Sequence, residues 1–113
     1  MRFGAHVPTR GRLARAVDYA EAIGADAFQI FVSNPRAWTP PSVRHSAAAE
    51  FVERRGKSDI AEVFVHSTYL INVASPDPAF HRRSIGLARA ELEAAAGIGA
   101  DGLVVHAGAG GAG

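Results

Sequence analysis

The chain has no cysteine among its 113 residues. No disulfide can staple it and no thiolate can hold zinc, so any metal must be bound through His, Asp or Glu. Long apolar runs are missing as well: none approaches the roughly 18 residues needed to span a bilayer. The opening stretch, Met1-Arg2-Phe3-Gly4-Ala5-His6, lacks the apolar region of a signal peptide. A cytoplasmic protein with no membrane and no evident protein partner is the expectation. Neither sign of charge is in excess, with 12 Lys and Arg against 11 Asp and Glu and a formal net charge of +1. Global charge therefore selects no partner. Attraction to a polyanion must come from local placement of arginine.

What is present is an ordinary globular composition, 48% hydrophobic, in a length that makes one domain at most. Phe3–Val7 reads as a first strand carrying His6, closed by Pro8. Leu13, Ala16, Val17, Ala20 and Ile23 fall at helical spacing and stop at Gly24. Ala27–Val32 is a second, mostly apolar strand, expected to be buried on both faces. Residues 33–41 hold three prolines and cannot be regular structure. Ser42 is the expected cap of a second helix that carries Phe51 and Val52 and ends near Gly56. Val63–Val65 is a third strand delivering His66 at its end. Asp77-Pro78 is a helix start, a capping side chain followed by a residue suited to the first helical position. Ile85, Ala88, Leu92 and Ala95 mark the expected buried face of that helix, and Leu103–His106 a fourth strand.

One internal echo supports this division. Ile23-Gly24-Ala25-Asp26 and Ile98-Gly99-Ala100-Asp101 repeat the same four residues between a helix and a strand. Strands alternating with helices predict an α/β fold with a parallel sheet and crossover helices. A doubly wound sheet fits, and so does part of a (βα)8 barrel. A whole barrel takes about 250 residues, and the Gly/Ala-rich stretch 107–113 follows directly on a strand with no side chain able to anchor it. The favoured expectation is a single partial TIM-barrel domain over 1–113, truncated, with 107–113 as a flexible tail.

Three of the five histidines, His6, His66 and His106, sit at the carboxyl ends of expected strands. In a parallel α/β protein those ends share one face, where sites form. Neutral imidazole is a common metal ligand, and three at equivalent positions point to a shared site. The competing reading is half-buried histidines bonded to backbone. His45 and His81 lie near helix starts and are expected on the surface. No carboxylate sits at a strand's carboxyl end: Asp18, Glu21, Glu50, Glu53, Glu91 and Glu93 are on helices, while Asp26, Asp59 and Asp101 precede strands. The histidine-bearing loops are basic and aromatic, with Arg10, Arg12, Arg36, Trp38, Tyr69 and Leu70. Arginine pairs with phosphate and aromatic or aliphatic side chains wedge or stack at bases. The blander reading has Trp38 and Leu70 packing the loops and the arginines solvated. The glycine-rich end lacks the lysine and the following helix of a phosphate-binding P-loop.

His66-Ser67-Thr68-Tyr69-Leu70-Ile71-Asn72 resembles the third-strand motif of the endonuclease IV family of apurinic/apyrimidinic endonucleases. Gly4–Val7, Phe31–Trp38 and Val104-Val105-His106 match the same family in order and spacing, so the resemblance covers essentially the whole chain and the N-terminal part of the family's barrel. It implies a TIM barrel with three zinc ions that hydrolyses the DNA backbone on the 5′ side of abasic sites in base excision repair. By the resemblance, His66 and His106 match metal ligands. Arg36, Tyr69 and Leu70 match loop residues that enter double-stranded DNA at the lesion, and His6 is a histidine near the site, a candidate for catalysis rather than a ligand. Pro8, Arg12 and Ala107 depart from the family pattern, which puts the first-loop contacts and the backbone after His106 in question. The remaining ligands belong to strands absent here, so the chain alone is expected to be inactive. The alternatives are a sugar isomerase or epimerase on the same kind of barrel, and a non-catalytic half-barrel binding module.

Overall fold

The computed structural model describes residues 1–110. Four short strands, β1 (Gly4–His6), β2 (Ala27–Ile30), β3 (Glu62–His66) and β4 (Gly102–Val104), lie side by side in sequence order, every pair parallel. Parallel neighbours need a crossover, and α1 (Ala14–Ala22), α2 (His45–Gly56) and α3 (Pro78–Gly97) supply the three.

The pleat sorts the strand residues onto two faces. Phe28, Ile30, Val63 and Val65 are buried toward the helices, where Ala16, Val17, Ala20, Phe51, Ala95 and Ile98 complete the core. Their alternates, Ala27, Gln29, Glu62, Phe64 and His66, remain partly exposed. β2 is therefore buried on one face rather than two, because the described elements cover only one side of the sheet, and it ends at Ile30 instead of Val32.

The repeated Ile-Gly-Ala-Asp motif builds the same joint twice. At the end of α1, Gly24 adopts φ 74° while its N–H donates to the Glu21 carbonyl and that of Ala25 to Ala20. At the end of α3, Gly99 (φ 70°) and Ala100 do the same toward Ala96 and Ala95. This is the Schellman arrangement that closes a helix on a left-handed glycine. Each aspartate then ties the neighbouring strand: Asp26 accepts from Phe3 N at 2.9 Å and Asp101 from Val63 N at 2.9 Å.

Two further expectations change. α2 starts at His45 behind an extended Arg44 with no side-chain cap, not at Ser42. Pro40-Pro41 disfavour helix just there, and Val43 packs against the core, holding the chain extended for two further residues. The buried face of α3 is Ser84, Leu87, Glu91 and Ala95, while Ile85 and Leu92 are 39% and 53% exposed. The stripe is rotated because the loop after β3 needs hydrogen-bond acceptors from α3, which apolar side chains lack. The α3 start is as expected, with Asp77 accepting from Ala79 N and Phe80 N. Of the Gly/Ala stretch, residues 111–113 lie outside the described residues; within it, Ala109 is held by the side chain of Asn72 rather than by any of its own neighbours.

Candidate functional site

Register and pleat put His6 and His66 on the uncovered face of the sheet, at the carboxyl ends of their strands. His106 follows two residues after β4 ends. The His66 ring lies 5.1 Å from that of His106 and 6.1 Å from that of His6, measured between centroids. Phe31, directly after β2, fills the space between them, 4.5 Å from His6 and 5.3 Å from His66. Tyr69 closes the group at 5.8 Å from His66 and 5.4 Å from Phe31. The three histidines are thus one cluster, with an aromatic floor whose Phe31 the sequence reading did not single out. Phe31 sits in the same strand-end position as the histidines, which is the signal that marks it.

The rings differ in what holds them. His66 Nδ1 is 2.6 Å from the Ser67 carbonyl, which can only accept, so this contact calls for a proton on Nδ1 and, in the neutral ring, leaves the Nε2 lone pair open. Burial, and then the charge of His66, lower the pKa of His6 from 6.5. His6 is therefore expected to titrate below the ordinary histidine value in an NMR pH series, and His66→Ala should move the midpoint part of the way back up. An unchanged midpoint in that variant would remove the coupling. In linkage terms the folded chain binds fewer protons here than the unfolded one. The stability from His6 is present above pH 6.5 and is lost as pH falls through the folded value.

The loops around this cluster are bonded to one another. The Pro35 carbonyl accepts from Tyr69 N at 2.9 Å and from Thr68 Oγ1 at 2.6 Å, joining the loop after β2 to the loop after β3. Arg36 thus follows directly on the residue that Tyr69 touches; it is exposed, and among the described residues no ion pair holds its guanidinium. Tyr69 is 57% exposed, and Leu70 is half-buried. Other loop residues are committed within the chain. Trp38 packs edge-on against Phe80 at 5.3 Å with the Arg83 guanidinium 4.2 Å above it. Arg12 forms a two-point pair with Glu50, and Arg10 lies over Tyr19. Trp38 therefore follows the loop-packing reading.

Two polar residues behind the loops escaped the sequence reading. Glu91, 1% exposed, reaches from α3 to accept from Ser67 Oγ and from Thr68 N, so a carboxylate does arrive behind the end of β3. Asn72 accepts from Ala74 N and Ala109 N and donates to the Ala109 carbonyl, linking the third loop to the chain after His106. His81 is half-buried with a buried, unpaired Nδ1 rather than on the open surface, whereas His45 is exposed as expected.

Two imidazoles, His66 at the end of β3 and His106 just past β4, one with its lone pair set free by a backbone bond, suit a zinc ion as partial ligands. Among the described residues no three His, Asp or Glu side chains close into a group that could hold a metal. The donors fit part of a coordination shell. No helix among the described residues is long and apolar enough to cross a membrane.

Comparison with known proteins places this geometry. Residues 17–112 match the AP_endonuc_2 family model, a xylose isomerase-like TIM barrel. The probable endonuclease 4 of Halothermothrix orenii is 39% identical over 108 residues, covering 96% of this chain and 39% of that protein. Its counterpart from Methanosphaerula palustris is 40% identical, covering 96% and 38%. The crystal structure of endonuclease IV from Thermus thermophilus superposes with a TM-score of 0.90 at 33% identity, over 98% of this chain and 42% of that one. The chain spans about two fifths of the length of these relatives.

Proposed function

The chain belongs to the AP_endonuc_2 family of xylose isomerase-like TIM barrels, and from that premise we propose that it is the N-terminal part of a cytoplasmic DNA repair endonuclease. The reaction proposed is zinc-dependent hydrolysis of the phosphodiester bond 5′ to an abasic site in double-stranded DNA. The observation that carries this reading is the joint one: His66 and His106 within 5.1 Å, beside an exposed Tyr69 on a loop bonded to the Arg36 loop, in a chain similar to proteins named endonuclease 4. The sugar isomerase alternative shares the barrel, but it gives the exposed Arg36, Tyr69 and Leu70 loops less to do.

His66, through Nε2, and His106 would hold zinc, with three ions expected in the complete site and the further ligands supplied from outside the described residues. Zinc when bound supplies Lewis acidity toward the phosphate and a water of lowered pKa. The chain's own residues do the rest of the positioning. Arg36 offers a forked cation to a backbone phosphate. Tyr69 presents a ring face to a base next to the lesion, and Leu70 an aliphatic edge, so the loop fills the gap left by a missing base. His6, whose neutral form is favoured by burial and by the charge of His66, keeps one ring N–H to donate to a phosphate oxygen and one lone pair to accept from an attacking water.

Zinc titration of the 113-residue chain by calorimetry is expected to show weak binding that His66→Ala or His106→Ala reduces by at least tenfold, with no incision of an abasic-site duplex. Zinc binding indifferent to both substitutions would sink the ligand assignment. Zinc-dependent incision by this chain alone would show that its ligand set suffices after all.

A further inference from the structure

Glu91 has no place in the mechanism above, yet it is the buried carboxylate nearest the proposed ligand His66. It is 1% exposed, on the inner face of α3, and spends its two oxygens on consecutive residues: Oε2 accepts from Ser67 Oγ and Oε1 from Thr68 N at 3.0 Å. The Thr68 N–H belongs to the same peptide unit as the Ser67 carbonyl. That carbonyl is the one that accepts from His66 Nδ1 at 2.6 Å. Carboxylate, peptide and imidazole therefore form one hydrogen-bonded line, with the peptide between the two side chains.

We propose that Glu91 is a positioning residue for His66, acting through the Ser67–Thr68 peptide to hold the imidazole as the Nδ1–H tautomer with Nε2 turned to the site. The physical basis is polarisation. A carboxylate accepting from a peptide N–H pulls electron density toward the carbonyl oxygen, which becomes a stronger acceptor for the Nδ1 proton. Ligating histidines are commonly fixed this way by a direct carboxylate or carbonyl, and losing such support typically costs about 10- to 100-fold in metal affinity. Here the carboxylate works one peptide removed. The peptide cannot turn to escape the arrangement, because Ser67 N donates to Val104 O at 2.9 Å and Thr68 Oγ1 to Pro35 O at 2.6 Å. Ser67 and Thr68 are themselves 1% and 3% exposed, so water does not compete for these bonds.

The metal-affinity consequence rests on the zinc reading; the tautomer does not. Long-range proton–nitrogen correlation spectra of the unmodified, metal-free chain at about pH 8, above the ordinary histidine pKa of about 6.5, should show His66 protonated on Nδ1. A proton on Nε2 overturns the proposal without any variant. Glu91→Gln keeps the side-chain shape and removes the charge; it should shift His66 toward the Nε2–H form and lower zinc affinity about tenfold. Ser67→Ala keeps the Thr68–Glu91 bond and should leave the tautomer as in the unmodified chain. If Glu91→Gln changes neither tautomer nor affinity, or Ser67→Ala changes the tautomer as much, Glu91 is a structural prop and the proposal fails. If the tautomer depends on Glu91 while the unmodified chain binds no zinc, the positioning role stands and the zinc reading falls.

Discussion

Phe51→Ala is expected to destabilise the chain by about 3–5 kcal/mol. Phe51 is the one fully buried residue of α2, 0% exposed. Its ring meets Phe28 edge-on at 6.3 Å, tying α2 to the second strand. Truncation leaves a cavity that neighbouring strands, held in register by their backbone bonds, cannot close. A domain of this length starts from a small reserve of stability, so a loss on that scale is a large fraction of it. Urea unfolding followed by circular dichroism checks the expectation, with Val52→Ala, at a side chain 49% exposed, as the comparison. A Phe51→Ala cost below about 1 kcal/mol would mean that α2 is not held by this contact.

The second large effect is expected at Gly108. Its φ is 85°, and a Cβ built there would stand 2.1 Å from Asn72 Oδ1 and 3.1 Å from Asn72 Cγ. Alanine therefore meets two penalties. A left-handed backbone costs a residue with a Cβ about 1 kcal/mol or more. The Asn72 side chain must also move, which breaks its bonds to Ala74 N and to both backbone groups of Ala109. At about 1 kcal/mol per hydrogen bond the combined cost is about 2–4 kcal/mol, confined to the loops on either side of the site. Hydrogen exchange should show the Ala74 and Ala109 amides losing protection while those of β2 and β3 keep theirs. Asn72→Ala removes the same bonds, so the double variant should cost clearly less than the sum of the two single ones. Simple additivity would show that Gly108 and Asn72 act independently. Because His106 lies two residues before Gly108, Gly108→Ala should also weaken zinc binding more than it weakens the fold.

Much of this molecule follows from local pattern. The order of strands and helices was readable because periodicity, glycine stops and the Asp77-Pro78 start are properties of a few neighbouring residues. The strand-end histidines were readable for the same reason. Once the strands are parallel, their carboxyl ends share a face, which brings His6 and His66 together. His106 joins them from the loop two residues past β4, which ends at Val104 rather than at His106 as expected. The resemblance carried by His66–Asn72 likewise needed only consecutive residues.

The tertiary structure decided what hydrogen-bond accounting across distant segments requires. Ile85 and Leu92 look like the inner face of α3 when only hydrophobicity is counted, yet Ser84 and Glu91 occupy it. The amides of Thr68 and Asn72 sit in a loop with no strand partner, and buried N–H groups must be paired, so the helix turns its polar residues toward them. Trp38 was decided in the same way, by Phe80 and Arg83 arriving from α3 rather than by anything beside it in the chain. Sequence by itself determined which residues reach the site. Only the packed chain determined which of them are held and by what, because those partners are joined through space and not through spacing.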